Sequence, residues 1–133
     1  MFTGSESDRL ALRELLDRYS DAVNRLDADA WSATWADDAS WVFRGGKVEG
    51  REAIVATWTN AMAGFDSVWF SAFPGMIAVD GDVAAMTTHT FEYLSATGAA
   101  PRLQSGIYND RVVRTDAGWR FAERAFTPKE MKL

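Results

Sequence analysis

Four strand-like stretches divided by tight turns fill the second half of the chain, and nothing else constrains the fold as much. Residues 67–79, 83–94, 102–115 and 119–127 are rich in β-branched and aromatic side chains that suit a pleated surface. Asp80-Gly81-Asp82, the segment 95–101 and Asp116-Ala117-Gly118 separate them with turn-forming residues. Connections this short cannot hold a crossover helix, so successive strands must pair antiparallel. Pro74-Gly75 falls inside the first stretch. It predicts a bend or bulge that would tighten the curl of the sheet, or else a loop dividing two shorter strands.

The first half has a different period. Leu12, Leu15, Leu16, Tyr19, Ala22, Val23 and Leu26 recur in steps of three and four, while Arg13, Glu14, Asp17, Arg18, Asp21 and Arg25 take the opposite side. Ser5-Glu6-Ser7-Asp8 supplies a capping hydroxyl and early negative charge, as a helix N-terminus favours. Asp27-Ala28-Asp29 predicts a cap for a second short helix holding Ala30, Trp31, Thr34 and Trp35, ended by Asp37-Asp38. A strand over 40–43 leads to the Gly45-Gly46 turn and a brief return through Val48-Glu49-Gly50. A third helix over 51–63 would bury Ile54, Trp58 and Met62. Helices first and sheet afterwards is an α+β pattern, and 133 residues make one domain spanning 1–133. If the sheet curls strongly, helices on one face cannot fill its concavity, and an apolar pocket remains.

Composition narrows the function classes. There are no cysteines, which removes disulfides, thiolate catalysis and cysteine-held metals. With a single histidine no metal site is expected, nor an organic cofactor: no phosphate-cradling glycine loop or nucleophile elbow is present. The net charge of −5 and the absence of a basic stripe argue against nucleic acid. The uncharged run over 67–79 is too short and too interrupted for a membrane span, and the polar N-terminus has no signal-peptide pattern, so a cytoplasmic location is expected. Six Trp, eight Phe and three Tyr form a heavy aromatic load. Such residues fill cores, and they also line pockets for flat apolar ligands.

Several segments, in order, resemble the SnoaL-like family of the nuclear-transport-factor-2-like superfamily. They are the stretch from Arg18 to Asp27 (RYSDAVNRLD), Ala36-Asp37-Asp38-Ala39-Ser40-Trp41, and Val48-Glu49-Gly50-Arg51-Glu52-Ala53-Ile54. The Val79-Asp80-Gly81-Asp82-Val83-Ala84 hairpin and Tyr108-Asn109-Asp110 with Gly118-Trp119-Arg120-Phe121 and Arg124 complete the set. The resemblance implies a cone-shaped curved antiparallel sheet with three N-terminal helices enclosing an apolar pocket, in a homodimer or homotrimer. The family includes scytalone dehydratase, ketosteroid isomerase, a bile-acid dehydratase, a lindane dehydrochlorinase and polyketide cyclases, besides non-catalytic binders. Fold alone therefore leaves function open.

The resemblance also shows what this chain lacks. The dehydratase members pair a helix-one Asp with a His on the first long strand, and here those positions are Asn24 and Phe70. The ketosteroid isomerase base falls near Phe43 and its oxyanion acid on Tyr108, while its helix-one tyrosine is kept as Tyr19. Asp27 is one turn from Asn24, where capping the second helix is its simpler role. The lone histidine, His89, shares a strand face with Thr87, Phe91 and Tyr93, opposite Thr88, Thr90 and Glu92. It reads either as an ordinary structural residue or, at a position where scytalone dehydratase looks to carry a pocket histidine, as an acid/base. The expected site combines His89 with Tyr19 and Tyr108 as donors, Asn24 as an orienter and Asp110 as a spare carboxylate, unless Asp110 is tied up by Arg111 or Arg124. Phe43, Trp58, Trp69, Phe70 and Phe91 are the expected walls. The expected activity is a cofactor-independent lyase or isomerase, by dehydratase-like elimination, on a small hydrophobic cyclic or aromatic substrate. The alternative is a non-catalytic binder of such a ligand.

Overall fold

The Ser5 hydroxyl accepts a hydrogen bond from the Asp8 amide at 3.0 Å and opens the first helix, α1 (Glu6–Arg25). This is a computed structural model, and it describes residues 1–131. The apolar stripe from Leu12 to Val23 is buried as the period requires. Leu26 is not: it takes the left-handed conformation (φ 52°) that closes the helix, and its side chain stays exposed. Asp27 then caps α2 (Ala28–Ser32) by accepting from the Ala30 amide at 3.0 Å.

The second helix ends sooner than the sequence predicts. Trp35, Asp37 and Asp38 belong to a strand, β2 (Trp35–Phe43), followed by β3 (Gly46–Glu49) and α3 (Arg51–Met62). The cause is tertiary. β2 runs parallel to the last strand of the sheet, and its register shifts between Trp35 and Ser40, where both acids stay exposed. In α3, Ile54 and Trp58 are buried and Met62 is half-buried.

The remaining strands are β4 (Ser67–Asp80), β5 (Val83–Ser95), β6 (Arg102–Thr115) and β7 (Gly118–Pro128), antiparallel in succession as their turns dictate. A two-residue strand, β1 (Phe2–Thr3), paired parallel with β4, makes seven. The order is β1, β4, β5, β6, β7, β2, β3 in one curved, unclosed sheet. The sheet is thus mixed rather than wholly antiparallel, with parallel pairs at Phe2–Thr3 and at β2–β7. β4 stays continuous through Pro74-Gly75, where a bulge lies between Pro74 and Met76. A Cβ at Gly75 would come within 3.0 Å of both His89 Nε2 and Thr87 Oγ1, so the glycine leaves room for these two side chains.

The helices lie in the concavity, α1 chiefly against β4. Between them and the sheet is an aromatic core in which Trp31 stacks on Trp58 (4.6 Å, 16°) and packs against Tyr19 at 5.6 Å. Each such side chain removes on the order of 150–250 Å² from water, so a few aromatics hold the helices firmly. Among the described residues no helix is long and apolar enough to cross a membrane.

Candidate active site

A cavity of about 720 Å³ opens between α3, the inner face of the sheet and the β2–β3 turn. Ligand pockets run from roughly 300 to 1,000 Å³, so a molecule of one or two rings fits. Its apolar wall includes Trp41, Phe43, Trp58, Phe65, Phe70 and Phe126. Tyr19 and Tyr108 reach it from α1 and β6, and Glu92 reaches it from β5.

Behind the two phenols is a fully buried ion pair. Arg124 on β7 and Asp110 on β6 are cross-strand partners, and both side chains are 0% exposed. Arg124 Nε donates to Asp110 Oδ1 at 2.7 Å and Nη2 donates to Oδ2 at 3.1 Å. Thr88 Oγ1 donates to the same Oδ2 at 2.8 Å. The guanidinium lies against the rings of Tyr108 (3.9 Å), Phe121 (4.2 Å) and Tyr19 (4.5 Å). Burial works against its charge, but the Asp110 carboxylate together with Tyr19 and Tyr108 holds Arg124 above its ordinary pKa. Its Nη1 has no hydrogen-bond partner.

Burial also sets the phenols. It raises Tyr19 above its ordinary pKa against the opposing charge of Arg124, and raises Tyr108 further, with the neighbouring Tyr19 adding to the effect. Both are neutral donors at physiological pH. Trp41 Nε1 donates to the Tyr108 oxygen at 3.1 Å, and the Tyr19 hydroxyl is a second hydrogen-bonding neighbour of Tyr108. Among the described residues Glu92 is the one carboxyl lining the cavity. Its removal from water pushes its pKa up to about 6, against the attraction of Arg102. Its charge is felt at Tyr19, which places these two groups in one electrostatic neighbourhood.

The family model described as a SnoaL-like domain matches residues 5–125. The chain belongs to the SnoaL-like family. A curated relative, the uncharacterized protein Rv2910c of Mycobacterium tuberculosis, is 30% identical over 131 residues, covering 96% of this chain and 89% of the relative. Among solved structures, the Kfla4162 protein of Kribbella flavida is 20% identical with a TM-score of 0.87, over 96% of this chain and 94% of that one. A candidate scytalone dehydratase from Novosphingobium aromaticivorans is 18% identical with a TM-score of 0.86, over 93% and 85%. At these identities the two structures establish a shared fold.

In this SnoaL-like protein several expected site residues lie elsewhere. His89 is on the outer face of the sheet, exposed, and stacked on Phe73 (5.1 Å, 24°). Trp69 (66% exposed) and Phe91 (41%) are on the same outer face, so neither is a wall. The alternation along β5 keeps the period that the sequence predicts, but the inward side is the opposite one. α1 packs on the face that carries Thr88, Thr90 and Glu92, and this turns His89 outward. Asp110 is buried but held by Arg124, behind the phenols rather than in the cavity.

Asn24 does not line the cavity either. Its Nδ2 donates to Phe70 O and to Ser20 O, both at 2.8 Å, and its Oδ1 accepts from the Phe70 amide at 2.8 Å. The two positions of the family's dyad therefore meet, but as a clip between α1 and β4 that presents the Phe70 ring to the cavity. Tyr19, Tyr108, Phe43, Trp58 and Phe70 do line it. Glu92 and Trp41 are not among the site residues expected from the sequence, whereas Arg124 is expected there as one of the cations that would tie up Asp110, as it does. For Glu92 the available signal was its place opposite His89 in the β5 alternation.

Proposed function

We propose that this SnoaL-like protein is a lyase or isomerase acting on a small hydrophobic cyclic or aromatic compound, with Glu92 rather than His89 as its acid/base. The observation that carries this reading is Glu92 itself: a carboxyl on the wall of an apolar aromatic cavity, with a pKa of about 6, in the company of two neutral phenols. A base so poised is largely ionised near neutral pH and still basic enough to take a carbon-bound proton.

Glu92 and Tyr108 are on the inner faces of adjacent strands, opposite Gln104 and Thr88 respectively. Four residues along a strand amount to roughly 13 Å between their backbones. Side chains converging into the cavity leave room for a ring system between them. The Glu92 carboxylate takes the proton from the carbon next to a substrate carbonyl. The negative charge that develops on the carbonyl oxygen is met by a hydrogen bond donated from Tyr108 or Tyr19, each of which keeps its proton, and the Arg124 charge behind both rings favours that build-up. In an elimination, the C–O bond at the next carbon then breaks, the C=C bond forms, and the departing hydroxyl leaves as water with the proton Glu92 acquired.

Deuterium incorporation into cyclic aryl ketones such as 1-tetralone and 1-indanone in D₂O tests the proton-transfer step directly. The expected result is catalysed exchange that rises through a pH near 6 and falls by about a hundredfold or more in Glu92→Gln. An unchanged rate in Glu92→Gln would overturn the assignment. Ligand binding without exchange or elimination would favour the binding-protein reading, which the missing dyad at Asn24 and Phe70 supports. The outer face, with Trp69, Phe73, Phe91, Tyr93 and Leu103 exposed, supports self-association into a homodimer or homotrimer. Sedimentation of Trp69→Glu as a smaller species than the parent protein would bear this out.

A further inference from the structure

We infer that the ligand of this cavity carries an acid group, held at the mouth between Arg44 and Arg102, while its ring system occupies the apolar interior. The inference rests on the small-molecule reading of the cavity and extends it to a substrate class, aromatic or cyclic carboxylic acids.

Acidic residues outnumber basic ones 19 to 14, yet the cavity lining carries two guanidiniums, Arg44 and Arg102, against the single carboxyl of Glu92. Elsewhere this surplus of acids is used: Arg25, Lys47, Arg51, Arg114 and Arg124 each reach a carboxylate. Among the described residues Arg44 and Arg102 form no such pair. Unpaired arginines on an open surface are ordinary, and Arg18 and Arg111 are examples. These two differ in bordering the same apolar cavity, one from the β2–β3 turn and one from the start of β6.

The backbone fixes both positions. Arg44 is in the two-residue turn between β2 and β3, directly after the cavity residue Phe43. Arg102 begins β6 opposite Leu94, two residues from Gln104, which faces Glu92. Alternation places Arg102, Gln104 and Tyr108 on one inner face, so the lining grades from cation at the mouth, through a neutral amide, to phenols inside. Arg102 draws the Glu92 pKa down only partly, and Glu92 forms no ion pair with it. The planar guanidinium fork matches a carboxylate well. Asn60 on α3 adds a neutral amide to the lining.

Isothermal titration calorimetry with three matched pairs tests the inference: benzoate and benzyl alcohol, cinnamate and cinnamyl alcohol, 2-naphthoate and 2-naphthalenemethanol. For at least one pair the acid is expected to bind about tenfold more tightly than its alcohol at low ionic strength, from one charge-assisted contact. Arg44→Gln and Arg102→Gln should each erode that preference, and the double variant should abolish it without weakening the alcohol; unchanged melting temperatures would show intact folding. Acids no tighter than alcohols across all three pairs, absence of binding included, would overturn the inference. So would a preference that survives in the double variant. Glu92→Gln separates this from the catalytic reading, because it removes a competing carboxylate and should keep or widen the preference for acid. A standing preference with normal turnover in Glu92→Gln would sink only the acid/base assignment. No preference together with a dead Glu92→Gln would sink only the anion site.

Discussion

Glu92 in its folded environment should cost this protein stability at neutral pH, and replacing it should return that stability in a pH-dependent way. Burial lifts its pKa from 4.5 to about 6. A raised carboxyl means that the folded state binds more protons than the unfolded chain between those two values, so stability falls as pH rises through that window. At about 1.4 kcal/mol per pH unit of displacement, the loss is about 2 kcal/mol once the group is ionised in both states. Glu92→Gln keeps the shape and cannot ionise. Urea unfolding of both proteins, followed by tryptophan fluorescence between about pH 4 and pH 8, gives the stability difference directly. Any fixed cost of burying the amide shifts the whole curve, so the test is its slope. The variant should gain about 2 kcal/mol relative to the parent between the two ends, nearly all of it between about pH 4.5 and pH 6.5. A difference independent of pH would refute the placement of Glu92 in a desolvated site. A difference that narrows as pH rises would reverse the sign of the argument and refute it too.

Three further outcomes follow from the geometry. Asp110→Ala leaves the Arg124 charge buried with its Nε, Nη2 and Nη1 all unpaired and should cost about 3–5 kcal/mol in the same unfolding assay, whereas Asp110→Leu with Arg124→Met should restore most of it. A loss under about 1 kcal/mol in Asp110→Ala would mean the three surrounding rings suffice to hold the cation. Asn24→Ala removes the clip between α1 and Phe70 and should cost about 1–3 kcal/mol; no change would show that the clip is dispensable. His89→Ala should leave both deuterium exchange and ligand affinity within about twofold of the parent, since its ring lies outside the cavity, and a loss of about tenfold or more would return His89 to the site.

Much of the fold was legible because period and turn chemistry are local. The steps of three and four along α1, the alternation along β5 and the tight turns after β4 and β6 all follow from neighbours within a few residues. Trp35, Asp37 and Asp38 show where this stops. The helix-like context of Trp35 is overridden by its pairing with Phe121 on β7, more than eighty residues away in the chain, and Asp37 and Asp38 follow in the irregular stretch of the same strand. The candidate site was legible in its aromatic parts, Tyr19, Phe43, Trp58, Phe70 and Tyr108, because large apolar side chains on a regular face point to a core or a cavity.

From the sequence alone one can sort β5 into two faces: His89 with Phe91 and Tyr93 on one, Glu92 with Thr88 and Thr90 on the other. Alternation carries no sign, however, and both faces bear chemistry. The side that faces inward is decided by the packing of α1 and α3 across the sheet. Only that packing desolvates Glu92, turns His89 to the outside and buries Arg124 against Asp110, since removal from water depends on neighbours brought together from distant parts of the chain.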